Sequence, residues 1–200
     1  MPFFARASAH CFRLFFKTFY RHTVIFEEKP LPQKGVIIAA NHVSFLDPPL
    51  ISGSWDGELY FLARRSLFEN PFLGLLLRQL NSVPVGMGSD AIKIAYRLLR
   101  EGKSIVIFPE GTRSETGELG TFRNGIGLIA RETGAPIIPT YIFGTHEIWP
   151  KERRLPHLFG KRSGCIFGRP LFAHRDEDPK TITERVFEEV RELRYLHENT

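Results

Sequence analysis

The stretch Gly35-Val-Ile-Ile-Ala-Ala40 is short, apolar after its first residue and rich in β-branched side chains. A second stretch of the same kind, Ser104-Ile-Val-Ile-Phe108, ends directly before Pro109. Strands that are apolar at every position are typical of a parallel sheet that helices cover on both faces. These two stretches therefore predict the centre of a sheet that lies between two layers of helices.

Strand and helix patterns alternate through the rest of the chain, which predicts an α/β fold with a mostly parallel mixed sheet flanked by helices. Further strand patterns cover residues 59–62, 136–143 and 165–168, and helix patterns cover residues 71–80, 90–100, 125–132 and 183–196. Pro139 lies inside a predicted strand and has no N–H group, so we expect an edge or a bulge there. On the last helix, Val186, Val190 and Leu193 share one face.

The chain has 200 residues, 42% of them apolar, and a net charge of +5, which fits one globular domain with a core. The positive excess favours an anionic partner such as a membrane surface, a nucleic acid, coenzyme A or a phosphate group. We expect no nucleic-acid partner, because no recognition motif is present. With only Cys11 and Cys165, neither a disulfide framework nor a cysteine-based metal site is expected. No apolar run reaches the ~20 residues of a transmembrane helix.

Residues 2–26 have the pattern of an amphipathic helix. A basic stripe is formed by Arg6, His10, Arg13, Lys17 and Arg21, and the other side carries Phe4, Cys11, Phe12, Leu14, Phe15, Phe16 and Phe19. This combination is typical of a helix in a membrane interface. It also fits a helix that buries its phenylalanine face on the domain, and the two interpretations are compatible. We predict a membrane-interface helix over residues 1–26 and the main domain over residues 27–200.

Polar residues follow the first central strand, in the sequence Asn41-His42-Val43-Ser44-Phe45-Leu46-Asp47-Pro48. Functional groups of open α/β sheets gather where strands end, which makes His42 and Asp47 candidates. A turn between them would let Asp47 accept a hydrogen bond from one ring nitrogen of His42 and leave the other nitrogen free as a base. The alternative is structural: Asp47 caps a helix whose first residue is Pro48, and His42 is a hydrogen-bonded histidine without a role in chemistry.

The second central strand is followed by Phe108-Pro-Glu-Gly-Thr-Arg-Ser114. Gly111 permits a close backbone approach, and the Arg113 guanidinium has the shape to hold a phosphate through two hydrogen bonds. Glu110 is expected either to orient a hydroxyl group or to hold Arg113 in place. Taken alone, the heptapeptide also fits a polar surface turn.

Together, Asn41-His42-x-Ser44-x-x-Asp47 and Phe108-Pro-Glu-Gly-Thr-Arg-Ser114 resemble the glycerophospholipid acyltransferase superfamily, with its His-x4-Asp motif, and most closely its bacterial 1-acylglycerol-3-phosphate O-acyltransferases. Residues 61–74, 122–125, 135–139 and 168–170 agree in the same order. The resemblance implies a glycerol-3-phosphate acyltransferase-like fold, with residues 27–200 as the acyltransferase domain. It also implies acyl transfer from acyl-CoA or acyl carrier protein, without a bound cofactor, to a lysophospholipid hydroxyl. The expected acceptor is 1-acylglycerol 3-phosphate, which gives phosphatidate.

The resemblance also implies roles for single residues. His42 would be the general base and Asp47 its orienting carboxylate, with no metal ligand. The substrate-binding residues would be Arg64, Glu110, Gly111, Thr112 and Arg113. Arg64 stands where the family often has lysine, and Met87 stands where it often has an arginine implicated in phosphate recognition. This departure leaves the phosphate to Arg64 and Arg113.

Several other functions remain open from the sequence. The acceptor could be glycerol 3-phosphate or another lysolipid, or the chain could be a non-catalytic membrane-surface module. In a metal-dependent hydrolase, His42, Asp47 and Glu110 would be ligands, although no His-Glu-x-x-His spacing is present. The acyltransferase interpretation places the protein on the cytoplasmic side of a membrane, as a peripheral or monotopic protein.

Overall fold

The computed structural model describes residues 3–28, 35–86, 89–153, 155–157 and 159–199, with side chains from residue 7 onward. The strands are β1 (Thr23–Phe26), β2 (Ile37–Ala40), β3 (Leu59–Arg64), β4 (Ser82–Val85), β5 (Ser104–Ile107), β6 (Ile137–Phe143) and β7 (Gly164–Phe167). The helices are α1 (Phe3–Phe19), α2 (Asp47–Ser54), α3 (Pro71–Gln79), α4 (Ser89–Arg100), α5 (Gly125–Thr133), α6 (Thr145–Ile148) and α7 (Pro179–Glu198). A short 3-10 helix, Arg65–Phe68, joins β3 to α3.

The strands form one sheet in the order β1-β7-β6-β2-β5-β3-β4. Each neighbouring pair is parallel except β6 and β7, which are antiparallel. The predicted α/β fold with a mostly parallel mixed sheet is therefore confirmed. The two stretches that predicted the centre, β2 and β5, are direct neighbours in the middle of the sheet.

Helices cover both faces of the sheet, because the side chains of β2 alternate between two cores. The first and third residues of β2 pack with side chains of α4, α5 and α7. The second and fourth pack with side chains of α1 and α2. All four are completely buried, which explains why no polar residue interrupts this strand. The predicted core residues Val186, Val190 and Leu193 of α7 are also buried.

The N-terminal segment is part of this core. Helix α1 packs on α2, and Phe16 and Tyr20 are each only 1% exposed. The helix ends at Phe19, so Arg21 does not extend the basic stripe on the helix surface. Residues 23–26 form β1, which pairs with β7 in the main sheet. The boundary predicted between residues 26 and 27 therefore assigns a strand of this sheet to the N-terminal segment. The β-branched side chains of this segment suit a strand better than a continued helix.

Pro139 lies in β6, between β2 and β7, so the expectation of an edge strand is wrong. The expected bulge describes this position better. Between the pairs Thr140–Phe167 and Ile137–Leu171, β6 advances three residues while the partner segment advances four. The extra residue interrupts the ladder next to the proline, which has no N–H group to donate.

Candidate active site

The candidate residues lie at the carboxyl ends of three adjacent parallel strands. His42 follows β2 by two residues, Glu110 and Arg113 lie in the turn after β5, and Arg64 is the last residue of β3. Parallel strands end at the same edge of a sheet, so the order β2-β5-β3 brings these side chains to one edge. Segments that are far apart in sequence therefore meet in one site.

A hydrogen bond of 2.8 Å joins His42 Nδ1 to Asp47 Oδ2. The chain turns between the two residues, as predicted, and the N–H groups of Val43 and Ser44 also donate to Oδ2, at 2.7 and 2.8 Å. An ionised carboxylate only accepts hydrogen bonds, so the Nδ1 atom is the donor. The other ring nitrogen, Nε2, is then the one that can accept a proton.

Asp47 is not the helix cap that the sequence indicated. Helix α2 begins at Asp47 itself, and its N-cap residue is Leu46, whose side chain makes no capping hydrogen bond. The carboxylate turns back to the preceding loop instead, where it is completely buried and binds the backbone of Val43 and Ser44. Buried carboxylates need such partners, so the loop conformation and the Asp47 charge depend on each other.

The His42 ring is partly covered by an aromatic neighbour. It stacks on Phe108, with 4.1 Å between the ring centroids and 18° between the planes. About a fifth of the His42 side chain, 19%, remains exposed. Phe108 fixes the ring plane and the bond to Asp47 fixes its rotation, so the ring has one defined orientation.

Glu110 joins the turn after β5 to the backbone of His42. Its Oε1 atom accepts the His42 N–H at 3.1 Å, and the Ser114 N–H donates to the His42 carbonyl at 2.8 Å. The turn thus holds the His42 backbone at both of its polar groups. One interpretation of the sequence was that Glu110 holds Arg113 in place. In the structure, no hydrogen bond or ion pair joins these two described residues. Burial raises the pKa of Glu110, and the hydrogen bond from the His42 N–H opposes that rise.

Arg113 has an unused hydrogen-bond donor. Its Cζ atom lies 3.4 Å from the centroid of the Phe45 ring, a cation–π contact. Its Nη1 atom is buried and has no hydrogen-bond partner among the described residues. Burial lowers the pKa of Arg113, and the charges of Asp47 and Glu152 oppose that effect. A buried N–H without an acceptor is unfavourable, and an anionic ligand would supply the acceptor.

Two further arginines lie at the Gly111 turn. Arg64 Nη2 is 3.4 Å from the Gly111 carbonyl oxygen. Gly111 has a φ of 73°, a left-handed backbone conformation that favours glycine, and a β-carbon there would lie 2.8 Å from Cζ of the flexible Arg123 side chain. Arg123 is not among the substrate-binding residues predicted from the sequence. Its approach to Gly111 depends on tertiary packing, which no local pattern reveals.

A cleft of about 470 Å³ opens beside this turn. Its lining consists of Glu110, Thr112, Arg113, Ser114, Glu115, Gly120, Thr121 and Lys151. Thr112, which was predicted to bind substrate, is exposed there. Met87 lies outside the described residues.

Two observations bear on metals and membranes. Within the described ranges, no three His, Cys, Asp or Glu side chains come together in a way that could hold a metal ion. None of the helices described for this chain is both long and apolar enough to cross a membrane.

Two residues without a role predicted from the sequence also hold the loop after β2. Thr145, 98 residues from Asp47 in sequence, donates its hydroxyl to Asp47 Oδ1 at 2.6 Å, and both residues are completely buried. The Asn41 side chain donates to the Ile142 carbonyl at 3.0 Å and accepts the Ile142 N–H at 2.7 Å. Asn41 thereby continues the contact between β2 and β6 beyond the last residue of β2.

Comparison with known proteins places these observations in a family. The family model described as Acyltransferase matches residues 21–143. A 1-acyl-sn-glycerol-3-phosphate acyltransferase of Bacillus subtilis is 29% identical over 181 residues, which cover 84% of this chain and 86% of that protein. The chloroplastic 1-acyl-sn-glycerol-3-phosphate acyltransferase BAT2 of Brassica napus is 33% identical over 130 residues, which cover 62% of this chain and 37% of that protein.

A solved structure is also similar over nearly the whole chain. The crystal structure of the 1-acyl-sn-glycerophosphate (LPA) acyltransferase PlsC from Thermotoga maritima matches with a TM-score of 0.77 and 27% identity, covering 98% of this chain and 84% of that one. Among the curated relatives, the matched part is 37% of the Brassica napus protein, 36% of an Arabidopsis thaliana protein and 51% of a Borreliella burgdorferi protein. The chain thus spans about a third to a half of the length of these three.

Proposed function

The chain belongs to the Acyltransferase family, and we propose that it moves a fatty acyl group from an acyl thioester to the free hydroxyl of 1-acylglycerol 3-phosphate, forming phosphatidate. One observation carries this proposal. The hydrogen-bonded pair of His42 and Asp47 lies at the same sheet edge as Arg113, whose Nη1 has no acceptor in the described part of the chain. A base at the same sheet edge as a cationic donor without a protein acceptor suits a substrate that carries both a hydroxyl and a phosphate.

The proposed chemistry needs no protein nucleophile. The Nε2 atom of His42 removes the proton of the acceptor hydroxyl while its oxygen attacks the thioester carbonyl carbon. The Asp47 carboxylate stabilises the imidazolium that forms. When the tetrahedral intermediate collapses, the carbon–sulfur bond breaks and the imidazolium returns the proton to the departing thiolate. The substrate hydroxyl thus replaces the serine of a hydrolase triad, and no acyl-enzyme forms.

The acceptor phosphate is proposed to bind at the Gly111 turn. Arg113 offers its buried Nη1, and the same turn is approached by Arg64 from strand β3 and by Arg123 from the loop before α5. Guanidinium groups bind phosphate oxygens through paired, charge-assisted hydrogen bonds. Three such groups around one turn would offset the loss of the arginine that the family often has at the place of Met87.

The function is tested by acylation assays with the purified chain. Acyl-CoA and acyl carrier protein are the two donors, and the acceptors are lysophosphatidate, glycerol 3-phosphate and a neutral lysolipid. We expect thioester-dependent acylation of lysophosphatidate to be fastest. Preference for glycerol 3-phosphate would reassign the acceptor, and the absence of any thioester-dependent acylation would favour a non-catalytic membrane module.

Replacing Arg113 with alanine is expected to lower kcat/KM on lysophosphatidate by about 10- to 100-fold, the range for a charge-assisted contact to substrate. On a neutral lysolipid the same variant should lose much less, because no phosphate contact is removed. Arg175→Ala, an exposed arginine far from the turn in sequence, is the matched control and should leave both rates unchanged. Equal losses on both acceptors would mean that Arg113 only supports the local fold.

We also propose that the protein binds the cytoplasmic surface of a membrane, as a peripheral or monotopic protein, through two adjacent helices. Helix α1 exposes Leu14, Phe15 and Phe19 while it buries Phe16, so one helix faces both the core and the outside. Helix α3 lies next to it and exposes Phe72, Leu75 and Leu76, at 85%, 60% and 42%. Six large apolar side chains exposed on two contacting helices favour an apolar partner such as a membrane interior. Lys17 and Arg78 add basic charge for anionic lipids.

Replacing Phe72 and Leu75 together with serine is expected to weaken binding to anionic phospholipid vesicles by about tenfold or more, because two apolar side chains no longer enter the interface. Activity on a membrane-bound acceptor should fall in parallel, while activity on a water-soluble short-chain acceptor should be retained. Vesicle sedimentation measures the binding.

The matched control is Phe172→Ser, because Phe172 is exposed to a comparable degree, 51%, but lies outside both helices. Point variants are needed here, because deleting the N-terminal segment would remove Phe16, Tyr20 and strand β1 from the core. Vesicle binding by the double variant at the wild-type level would show that another surface attaches the protein.

A further inference from the structure

The two oxygens of the Asp47 carboxylate have separate sets of partners. Oδ2 accepts three hydrogen bonds, from His42 Nδ1 and from the N–H groups of Val43 and Ser44. Oδ1 accepts the hydroxyl of Thr145 at 2.6 Å. Asp47 and Thr145 are both completely buried. Bulk solvent therefore does not reach Oδ1 to replace the hydrogen bond from the hydroxyl. A buried carboxylate oxygen without a donor is unfavourable.

Thr145 reaches Asp47 from the other side of the site. It begins helix α6, two residues after β6, and follows Gly144, whose φ is 78°. A β-carbon on Gly144 would lie 1.8 Å from the Arg162 carbonyl oxygen, so the turn is pressed against the segment before β7. The position of the hydroxyl is therefore set by tertiary packing.

Helix α6 holds the loop of His42 at a second point. The hydroxyl of Ser44 donates to the Trp149 carbonyl at 2.7 Å, and Trp149 directly follows α6. The Trp149 N–H in turn donates to the Thr145 carbonyl at 2.9 Å. One short segment, residues 145–149, thus contacts the loop at Ser44 and at Asp47, at the two ends of its tight turn.

We infer that Thr145 is a positioning residue for acyl transfer: its hydroxyl holds the Asp47 carboxylate in the one rotation that aims Oδ2 at His42. The inference rests on the proposed function, because it assigns Thr145 a task within the His42–Asp47 pair. With Oδ1 held by Thr145 and Oδ2 held by two backbone N–H groups, the carboxylate plane is fixed. Small losses of alignment in such a pair lower the rate of the chemical step more than substrate binding.

The test compares three variants of buried threonines. Thr145→Val keeps the shape and removes the hydroxyl, and it is expected to lower kcat by about tenfold or more with KM for both substrates unchanged. Thr145→Ser keeps the hydroxyl and should restore most of kcat. Thr140→Val is the matched control, since the Thr140 hydroxyl is equally buried but donates to the Ile138 carbonyl rather than to Asp47.

A spectroscopic measurement separates this inference from the proposed function. The His42 Nδ1 proton, hydrogen-bonded to Asp47, should give a downfield NMR resonance in the wild type. That resonance should shift or broaden in Thr145→Val and return in Thr145→Ser, whether or not the chain acylates the tested acceptors. An unchanged resonance and kcat in folded Thr145→Val, or an equal loss in the serine and valine variants, would overturn the inference. Absence of wild-type activity with the expected resonance changes would instead reject the proposed function alone.

Discussion

Replacing His42 with alanine is expected to lower the rate of acyl transfer by about 10²–10⁴-fold, the usual contribution of a positioned general base. The fold should survive, because the side chain is partly exposed and the two bonds that anchor this residue to the turn after β5 use its backbone N–H and carbonyl. Alanine therefore removes the base and keeps the two backbone hydrogen bonds of residue 42 with Glu110 and Ser114.

The measurement is kcat/KM on lysophosphatidate, with the thermal unfolding midpoint recorded for each variant. His174→Ala is the control, because His174 is exposed and lies outside the candidate site. If His42→Ala turns over within about threefold of the wild type at an unchanged midpoint, His42 is not the base.

Replacing Asp47 with asparagine is expected to lower kcat by about 10²–10³-fold through the loss of a charge. The backbone N–H groups of Val43 and Ser44 can only donate, so they select the amide oxygen of the introduced side chain for the position that Oδ2 now occupies. His42 can then still donate through Nδ1, and its tautomer is kept. The missing negative charge no longer stabilises the imidazolium in the transition state.

The fold of Asp47→Asn should change little, because the amide nitrogen would face the Thr145 hydroxyl, which can accept as well as donate. Kinetics on lysophosphatidate, with Asp176→Asn as an exposed control, measure the effect. Wild-type kcat in the asparagine variant would show that Asp47 serves the loop conformation alone. Unfolding of this variant would show that the buried charge is needed for the fold, and Asp47→Glu would then be compared in its place.

The apolar stretches of β2 and β5 were enough to predict the class of the fold. A strand without polar residues is typical of a sheet that helices cover on both faces. Because this burial is reflected in the composition of the strand itself, a short stretch of sequence reveals it. The face of α7 that carries Val186 and Val190 was predictable for the same reason, because helical spacing assigns its residues to one side. Strand β1 was missed, since its four residues continue an amphipathic pattern and their strand partner, β7, lies about 140 residues further on.

The pairing of His42 with Asp47 was predictable, because both residues belong to one short loop and a turn suffices to join them. The tertiary structure decided what else these groups contact. It turned the Asp47 carboxylate towards the loop instead of the helix, attached Glu110 to the His42 backbone and brought Thr145 to Asp47 from 98 residues away. The sequence by itself was enough to predict one contact within a loop, that of His42 with Asp47, and the buried face of helix α7. Contacts between loops depend on the order of strands in the sheet, which is set by the packing of the whole chain.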